Sequence, residues 1–208
     1  MASSKPLLSD QPLLRGHILD AARAIVVRHG FDALSMRKLA NVVGYSPASL
    51  YLHFPGRDAI AHALGAEGHG KLLAALHSCD STSDPVERVR SMARVYVEFG
   101  KANPVVYRLI YMQNAAYTEA IFSDAATAGE TALSVFSDAL ISLGPSARSA
   151  PLSADTLWVA LHGIVSLSLT ASKYLSAPTD ALIDSALDLC LFGVKKKPVR
   201  RPANARAG

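Results

Sequence analysis

Apolar side chains recur every three or four residues along most of this chain, and this spacing constrains its fold more than any other feature. Beyond His17, for example, Ile18, Ala22, Ile25 and Val26 would share one face of a helix. The pattern is interrupted only by segments rich in Pro, Ser, Gly or Asp. No segment alternates apolar and polar residues long enough to indicate a β-strand. We therefore predict an all-α fold.

Nine helices are predicted from this periodicity and its interruptions. Gly30 and Gly44 are placed to end the first two helices, while Ser35 and Ser46 are placed to cap the second and third. Pro47 falls in the first turn of the third helix, where its missing N–H is tolerated. The predicted helices span residues 17–29, 36–43, 46–53, 58–78, 85–102, 104–114, 117–143, 153–177 and 180–194.

Charge divides the chain into a basic head, an acidic body and a basic tail. Residues 1–62 carry seven Lys and Arg against four Asp and Glu, and residues 63–194 carry eight against thirteen. Residues 195–208 carry six basic residues and no acidic one. A basic head favours a polyanionic partner. A tail of this composition buries nothing and is predicted to be disordered.

Cysteine usage and hydropathy indicate the compartment. Cys79 and Cys190 lie far apart and form no paired motif, which predicts a cytoplasmic protein without disulfides. The first dozen residues contain prolines and an aspartate instead of an apolar run, so no signal peptide is predicted. The most apolar stretch, residues 157–171, is shorter than the roughly 20 residues of a membrane span and contains His162. We predict a buried helix there and no membrane partner.

The stretch GYSPASLYLHF, residues 44–54, has two interpretations. As a strand and tight turn it is nearly the G-x-S-x-G elbow of a serine esterase, with Ser46 as nucleophile and Asp155 and His162 as its partners. As a capped helix it would display its outer side chains to a nucleic acid. The second interpretation is favoured, because the preceding residues continue a helical pattern and Ala48 replaces the second glycine.

Three short helices with a glycine-containing turn between the second and third are typical of a helix-turn-helix unit. Leu50 and Phe54 are the predicted buried residues of the third helix. Its other side chains are small, or polar with flat rings, and suit contact with phosphates and base edges. These side chains are Ser46, Ala48, Ser49, Tyr51 and His53.

Residues 15–62 resemble the DNA-binding domain of the tetracycline-repressor (TetR) family. The resemblance is carried by ILDAARAIVVRHGFDALSMRKLANVVGYSPASLYLHFPGRDAI, which contains an amphipathic helix, Gly-Phe, R-x-L-A and L-Y-x-H-F in the family's order. Tyr45 stands where Val is usual, and Arg57 stands where Lys is usual. The helix-turn-helix geometry and the resemblance together predict nine DNA-contacting residues: Ser35, Arg37, Ser46, Pro47, Ala48, Ser49, Tyr51, His53 and Arg57. The alternatives are packing against the first helix for Tyr51 and a solvated side chain for Arg37.

The resemblance also implies the organisation and function of the whole chain. It implies a flexible arm (1–14), a DNA-binding domain (15–62), a helical regulatory and dimerisation domain (63–194) and the basic tail (195–208). A homodimer formed through helices near 153–177 and 180–194 would bind a palindromic operator in double-stranded DNA. A small-molecule effector would release this repressor; an activator without an effector is the alternative. Trp158, His162 and Gly163 further resemble a subgroup with a W-x-x-x-H-G regulatory domain.

Candidate effector contacts are aromatic residues and a methionine of the body, although such residues at helical spacing are also typical of plain core. They are Tyr96, Phe99, Tyr107, Tyr111, Met112, Phe136 and His162. No cofactor or metal is predicted, since His62 and His69 lie seven residues apart, which is wide for one ion. On the same predicted helix, Gly65, Gly68 and Gly70 indicate either a bending element or close packing.

Overall fold

The computed structural model describes residues 11–124, 129–144 and 150–192. Within these ranges it contains ten α-helices and no β-strand, which confirms the all-α prediction. The predicted tail, 195–208, and most of the predicted arm lie outside the described residues. The helices are Gln11–His29 (α1), Met36–Val43 (α2), Pro47–Tyr51 (α3), Arg57–His77 (α4), Pro85–Ala102 (α5), Pro104–Tyr111 (α6), Ala115–Phe122 (α7), Ala132–Ile141 (α8), Ala150–Thr170 (α9) and Thr179–Phe192 (α10).

Helices α1, α2 and α3 pack around a small apolar core that we call the head. Ile18, Leu39 and Leu50 are fully buried there, one from each helix. Gly44 ends α2 with a left-handed backbone (φ 74°), a conformation that glycine adopts without steric cost. The turn after it leads directly into α3, so the helix-turn-helix arrangement predicted from sequence is present.

Several predicted helix boundaries were wrong. The predicted helix 153–177 ends at Thr170, and Ser172–Tyr174 forms a separate short 3-10 helix. Helix α1 begins at Gln11, not residue 17, because Leu14 extends the buried face of the helix; residues 11–14, at the end of the predicted arm, are therefore helical. Helix α3 ends at Tyr51 rather than residue 53, three residues before the Phe54-Pro55 step, which disfavours helix. The predicted helix 117–143 is two helices, because Thr131 starts α8 with a capping box to Ser134.

The remaining helices form a second core, which we call the body. Tyr96 from α5, Tyr107 from α6, Phe136 from α8, Leu161 from α9 and Leu187 from α10 are all fully buried in it. Helix α9 packs against α5, α8 and α10 and is the central element of this layer.

Helix α4 joins head and body. Ile60 and Leu64 near its start belong to the head core, whereas Leu72 and Leu76 near its end belong to the body core. Helix α6 lies against α4 and also serves both cores, since Leu109 packs into the head core. The two units therefore share a continuous helical connection.

Helix α9 is more exposed than predicted. Its segment Leu152–Thr170 has a mean hydropathy of 1.4 and is, by length and composition alone, long enough to cross a membrane, yet only 28% of it is buried. Leu157 and Leu161 face the core, but Leu152 and Val159 are 66% and 63% exposed. The prediction of a buried helix holds for one face only, because nothing in the described subunit covers the other.

The glycines of α4 permit close packing. A Cβ on Gly65 would overlap Cδ1 of Ile121, and a Cβ on Gly68 would overlap Cγ1 of Val106. These contacts let α6 and α7 approach the α4 backbone, and they favour the close-packing alternative for Gly65 and Gly68. A Cβ on Gly70 meets no neighbouring atom within 4 Å.

Replacing Gly68 by Ala is expected to lower the free energy of unfolding by about 1–3 kcal/mol, because Val106 must move to accommodate the methyl group. Gly70→Ala is the matched control on the same helix, and its better helix propensity is expected to add about 0.5–1 kcal/mol. Urea unfolding followed by circular dichroism measures both. Equal stability of the two variants would contradict close packing at Gly68.

Candidate DNA-binding surface and effector site

The third helix presents its outer face to solvent. Ser46 caps it by accepting a hydrogen bond from the Ser49 backbone N–H (3.1 Å), and the two hydroxyls hydrogen bond to each other (2.9 Å). Leu50 is fully buried and anchors the helix, while Tyr51 is 53% exposed. Pro47 and Ala48 are exposed as well. About half of the Tyr51 side chain is therefore accessible on the outer face of α3.

The other predicted DNA contacts surround this helix and differ in how exposed their side chains are. Ser35 is exposed and caps α2 by accepting from the Lys38 N–H, and Arg37 is exposed on the same helix. His53 is half-buried beside a groove of about 670 Å³ between α1 and α4. Arg57, the first residue of α4, holds its guanidinium 4.9 Å from the centre of the Phe31 ring.

Three exposed apolar side chains near α3 were missed as candidates. Leu52, immediately after α3, is 85% exposed; Val42 and Tyr45, in and after the last turn of α2, are 58% and 45% exposed. The departure of Tyr45 from the expected Val was the only sequence signal. We call the exposed side chains Val42, Tyr45, Pro47, Ala48, Tyr51 and Leu52 the recognition surface.

A hydrogen-bonded row of aromatic side chains lies inside the body. The hydroxyls of Tyr96 and Tyr107 are 2.9 Å apart, and the Tyr107 hydroxyl hydrogen bonds to Nδ1 of His162 at 2.7 Å. The His162 ring stacks between Tyr107 and Trp158, with ring centres 5.6 and 5.7 Å away. Burial raises the pKa of both tyrosines and lowers the pKa of His162, so the row is uncharged at neutral pH.

Among the described residues, the predicted effector residues divide between the apolar core and a surface depression. Tyr96, Tyr107 and Phe136 are completely buried core residues, and Phe99 packs half-buried against the same core. Tyr111 and Met112 instead border a depression of about 520 Å³ beside α6 and α7, together with Phe122. His162 is a half-buried, hydrogen-bonded histidine.

Three polar side chains of this region carry buried atoms without a well-formed hydrogen bond to any described residue: the Tyr111 hydroxyl, which interacts only loosely with the Tyr96 hydroxyl, Nε1 of Trp158 and both ring nitrogens of His69. His69 is completely buried, and its ring centre is 5.3 Å from that of Phe122. Phe122 and Trp158 each contact Tyr111, with ring centres 5.9 Å from it. Burial lowers the pKa of His69, although Glu130 and Asp124 oppose the effect. Unsatisfied buried polar groups cost about 1–3 kcal/mol each, so native proteins contain few of them.

Sequence comparison assigns both units to one family. The family described as "Bacterial regulatory proteins, tetR family" matches residues 18–64, and "Tetracyclin repressor-like, C-terminal domain" matches residues 89–190. The chain belongs to the TetR family. It is a transcriptional regulator with a helix-turn-helix DNA-binding unit, as the members of that family are, and not an enzyme.

Individual relatives include both an activator and a repressor of transcription. The transcriptional activator FasR of Mycolicibacterium smegmatis is 24% identical over 193 residues, covering 90% of this chain and 85% of FasR. The transcriptional repressor KstR of the same species is 29% identical over 117 residues, covering 56% of this chain and 54% of KstR. A solved protein of unknown function from Rhodococcus sp. RHA1 has a TM-score of 0.70 and 27% identity, covering 87% of this chain and 95% of that one.

The esterase interpretation of Ser46 is wrong. No strand precedes this serine in the described residues, and its hydroxyl caps α3. His162, its supposed partner, hydrogen bonds instead to Tyr107 inside the body. The TetR-family assignment excludes the enzyme independently.

Proposed function

We propose that this TetR-family regulator is a cytoplasmic, ligand-responsive repressor that binds a palindromic operator as a homodimer and is released by a small-molecule effector. Residues 15–62 form the DNA-binding domain of this proposal, and residues 63–194 form the regulatory and dimerisation domain. The observation that carries it is the outward face of α3, held on a buried Leu50 and otherwise unoccupied by the described residues.

The proposed DNA contacts serve two purposes: some position the protein on the duplex, and others recognise the bases. Ser35, Arg37 and Arg57 lie at or near the starts of α2 and α4, and we assign them to phosphates, which fix the orientation of the protein on the duplex. The recognition surface enters the major groove, where base edges are read. Ser46 and Ser49 support this surface through their mutual hydrogen bonds, and His53 borders it from the α1–α4 groove.

The uncovered face of α9 supports the homodimer. Leu152, Val159, Gly163 and Leu167 fall on one side of the helix, where three are exposed apolar side chains and the glycine leaves open space beside its backbone. On α10, Phe192 is 63% exposed. A second copy that packs the same helices against this face would bury these side chains in a four-helix interface with twofold symmetry.

The unpartnered polar atoms support the effector. Trp158 Nε1 is a donor only, and the Tyr111 hydroxyl donates equally well, so a ligand accepting both hydrogen bonds would remove their desolvation cost. Burial lowers the pKa of His69 and of His162, which favours their neutral forms, and the charges that act on His69 belong to carboxylates. We therefore infer an uncharged, largely apolar effector that carries a hydrogen-bond acceptor.

Release of the operator would follow from a change in the spacing between the two heads of the dimer. Helices α6 and α7 contact both the proposed effector region and α4, and α4 extends into the head core. An effector that binds better to the form whose heads are wrongly spaced for the two half-sites would lower operator affinity.

An activator without an effector remains the alternative, because the relative FasR is named as an activator. Transcription from a promoter fused to the operator distinguishes the two: a repressor lowers output when the regulator is supplied, and an activator raises it.

Tyr51→Ala is expected to weaken operator binding by about 1–3 kcal/mol, roughly 5- to 150-fold in Kd, without changing stability, because Tyr51 is half-exposed on α3. The operator is first selected from random duplex DNA with the full chain, and Kd is then measured by fluorescence anisotropy at one salt concentration. Val27→Ala, at a 63% exposed site on α1, is the control. Unchanged affinity of the Tyr51 variant would contradict the proposed orientation of α3.

Val159→Asp is expected to convert the dimer into a monomer, since an unpaired carboxylate would be buried at the α9 interface. Val27→Asp provides a matched control, because both valines are 63% exposed in the subunit. Analytical ultracentrifugation measures the mass of each variant. A dimeric Val159 variant, or a monomeric parent protein at high concentration, would rule out this interface.

Trp158 is the single tryptophan of the chain, so its fluorescence reports directly on the proposed effector site. Screening uncharged carbonyl compounds is expected to yield ligands that alter this fluorescence and also release the operator. Tyr111→Phe should weaken those ligands by roughly fivefold or more, the value of one hydrogen bond, while operator affinity is kept. Tyr174→Phe, at a 77% exposed position, should leave ligand affinity unchanged. Ligands that bind both variants equally would place the site elsewhere.

A further inference from the structure

The exposed face of α3 is mostly apolar, and its main polar group beyond the capping Ser46 is the Tyr51 hydroxyl. Pro47, Ala48, Tyr51 and Leu52 span about 140° of the helix circumference, with the buried Leu50 on the opposite side. Leu52 continues the helical backbone beyond the last turn (φ −69°, ψ −22°), so its side chain belongs to this face. Val42 and Tyr45 extend the apolar surface on the side of α2.

Side chains that read bases through paired hydrogen bonds are missing from this segment. Residues 46–53 contain no Arg, Lys, Asn, Gln, Asp or Glu, the residue types that form bidentate contacts with guanine, adenine or cytosine. Asn41 is exposed but lies on α2, the helix that crosses the phosphate backbone in a helix-turn-helix. The hydroxyls of Ser46 and Ser49 are bonded to each other, and His53 is half-buried.

One base feature of the major groove matches an apolar surface. Thymine alone presents a C5 methyl group there, and this methyl is recognised by apolar contact. Leu52 is 85% exposed in the free protein, so covering its side chain with a methyl group removes apolar area from water. Arg37 and Lys38 on α2 supply attraction to phosphates, which is independent of base sequence.

We propose that the recognition surface reads its half-site mainly through thymine methyl groups, and that Leu52 is a specificity-determining residue contacting one of them. This inference rests on the proposed DNA-binding function and adds the chemistry by which the operator is distinguished.

Replacing thymine by deoxyuridine tests the proposal, because it deletes the methyl group and keeps the hydrogen-bonding edges of the base pair. The operator selected from random duplex DNA with the full chain is synthesised with each half-site thymine replaced in turn, and Kd is measured by fluorescence anisotropy. We expect Kd to rise about fourfold for each contacted methyl group. Leu52→Ala should bind the thymine and deoxyuridine forms equally at one position and retain discrimination at the others.

Val27→Ala is the control, since it shortens an exposed valine in the last turns of α1 and should keep full discrimination at every position. Operators whose deoxyuridine forms bind as tightly as the thymine forms would overturn the proposal and leave the DNA-binding function standing. If the Leu52 variant still distinguishes thymine from deoxyuridine at every position, the role of Leu52 is overturned. A random pool that yields no enriched duplex would contradict the DNA-binding function itself.

Discussion

The contact of α6 and α7 with α4 is the interaction on which the rest of the structure depends. Gly65 and Gly68 bring Ile121 and Val106 against the α4 backbone, and Leu109 of α6 reaches the head core from this position. The Tyr117 hydroxyl of α7 donates a 2.6 Å hydrogen bond to Asp58 at the start of α4. Because the same helices border the aromatic row of the body, a change there is mechanically connected to the helix that carries the head.

The body contains two sets of buried polar groups. One set is hydrogen-bonded, and the other lacks well-formed hydrogen bonds to the described residues. Tyr96, Tyr107 and His162 hydrogen bond in series, and this arrangement stabilises a polar core without charge. The polar atoms of Tyr111, Trp158 and His69 are also buried, yet the described residues give them no well-formed hydrogen bond. Folding alone does not favour such groups, and they are the observation behind the proposed effector.

The head could be predicted from sequence almost completely, because its signals are local. Ser35, Gly44 and Ser46 act through the backbone within four residues of themselves, so caps and turns follow directly from the residue types. Errors arose where a distant contact decides the outcome. Helix α1 extends because Leu14 finds a place in the head core, and the break before α8 depends on a capping box that the apolar pattern conceals. For the proposed effector residues, aromatic spacing does not reveal which rings fill the core and which border a depression.

By itself, the sequence determined an all-α chain, a capped helix-turn-helix and membership of the TetR family, because helix periodicity, capping and the L-Y-x-H-F motif are encoded in neighbouring residues. Only the tertiary structure decided that Tyr107 is closed in the core while Tyr111 borders a depression, and that His69 is buried without a partner. It also decided that one face of α9 is left uncovered. The reason is physical: burial and hydrogen-bond satisfaction depend on which helices pack together, and that packing joins residues far apart in the chain.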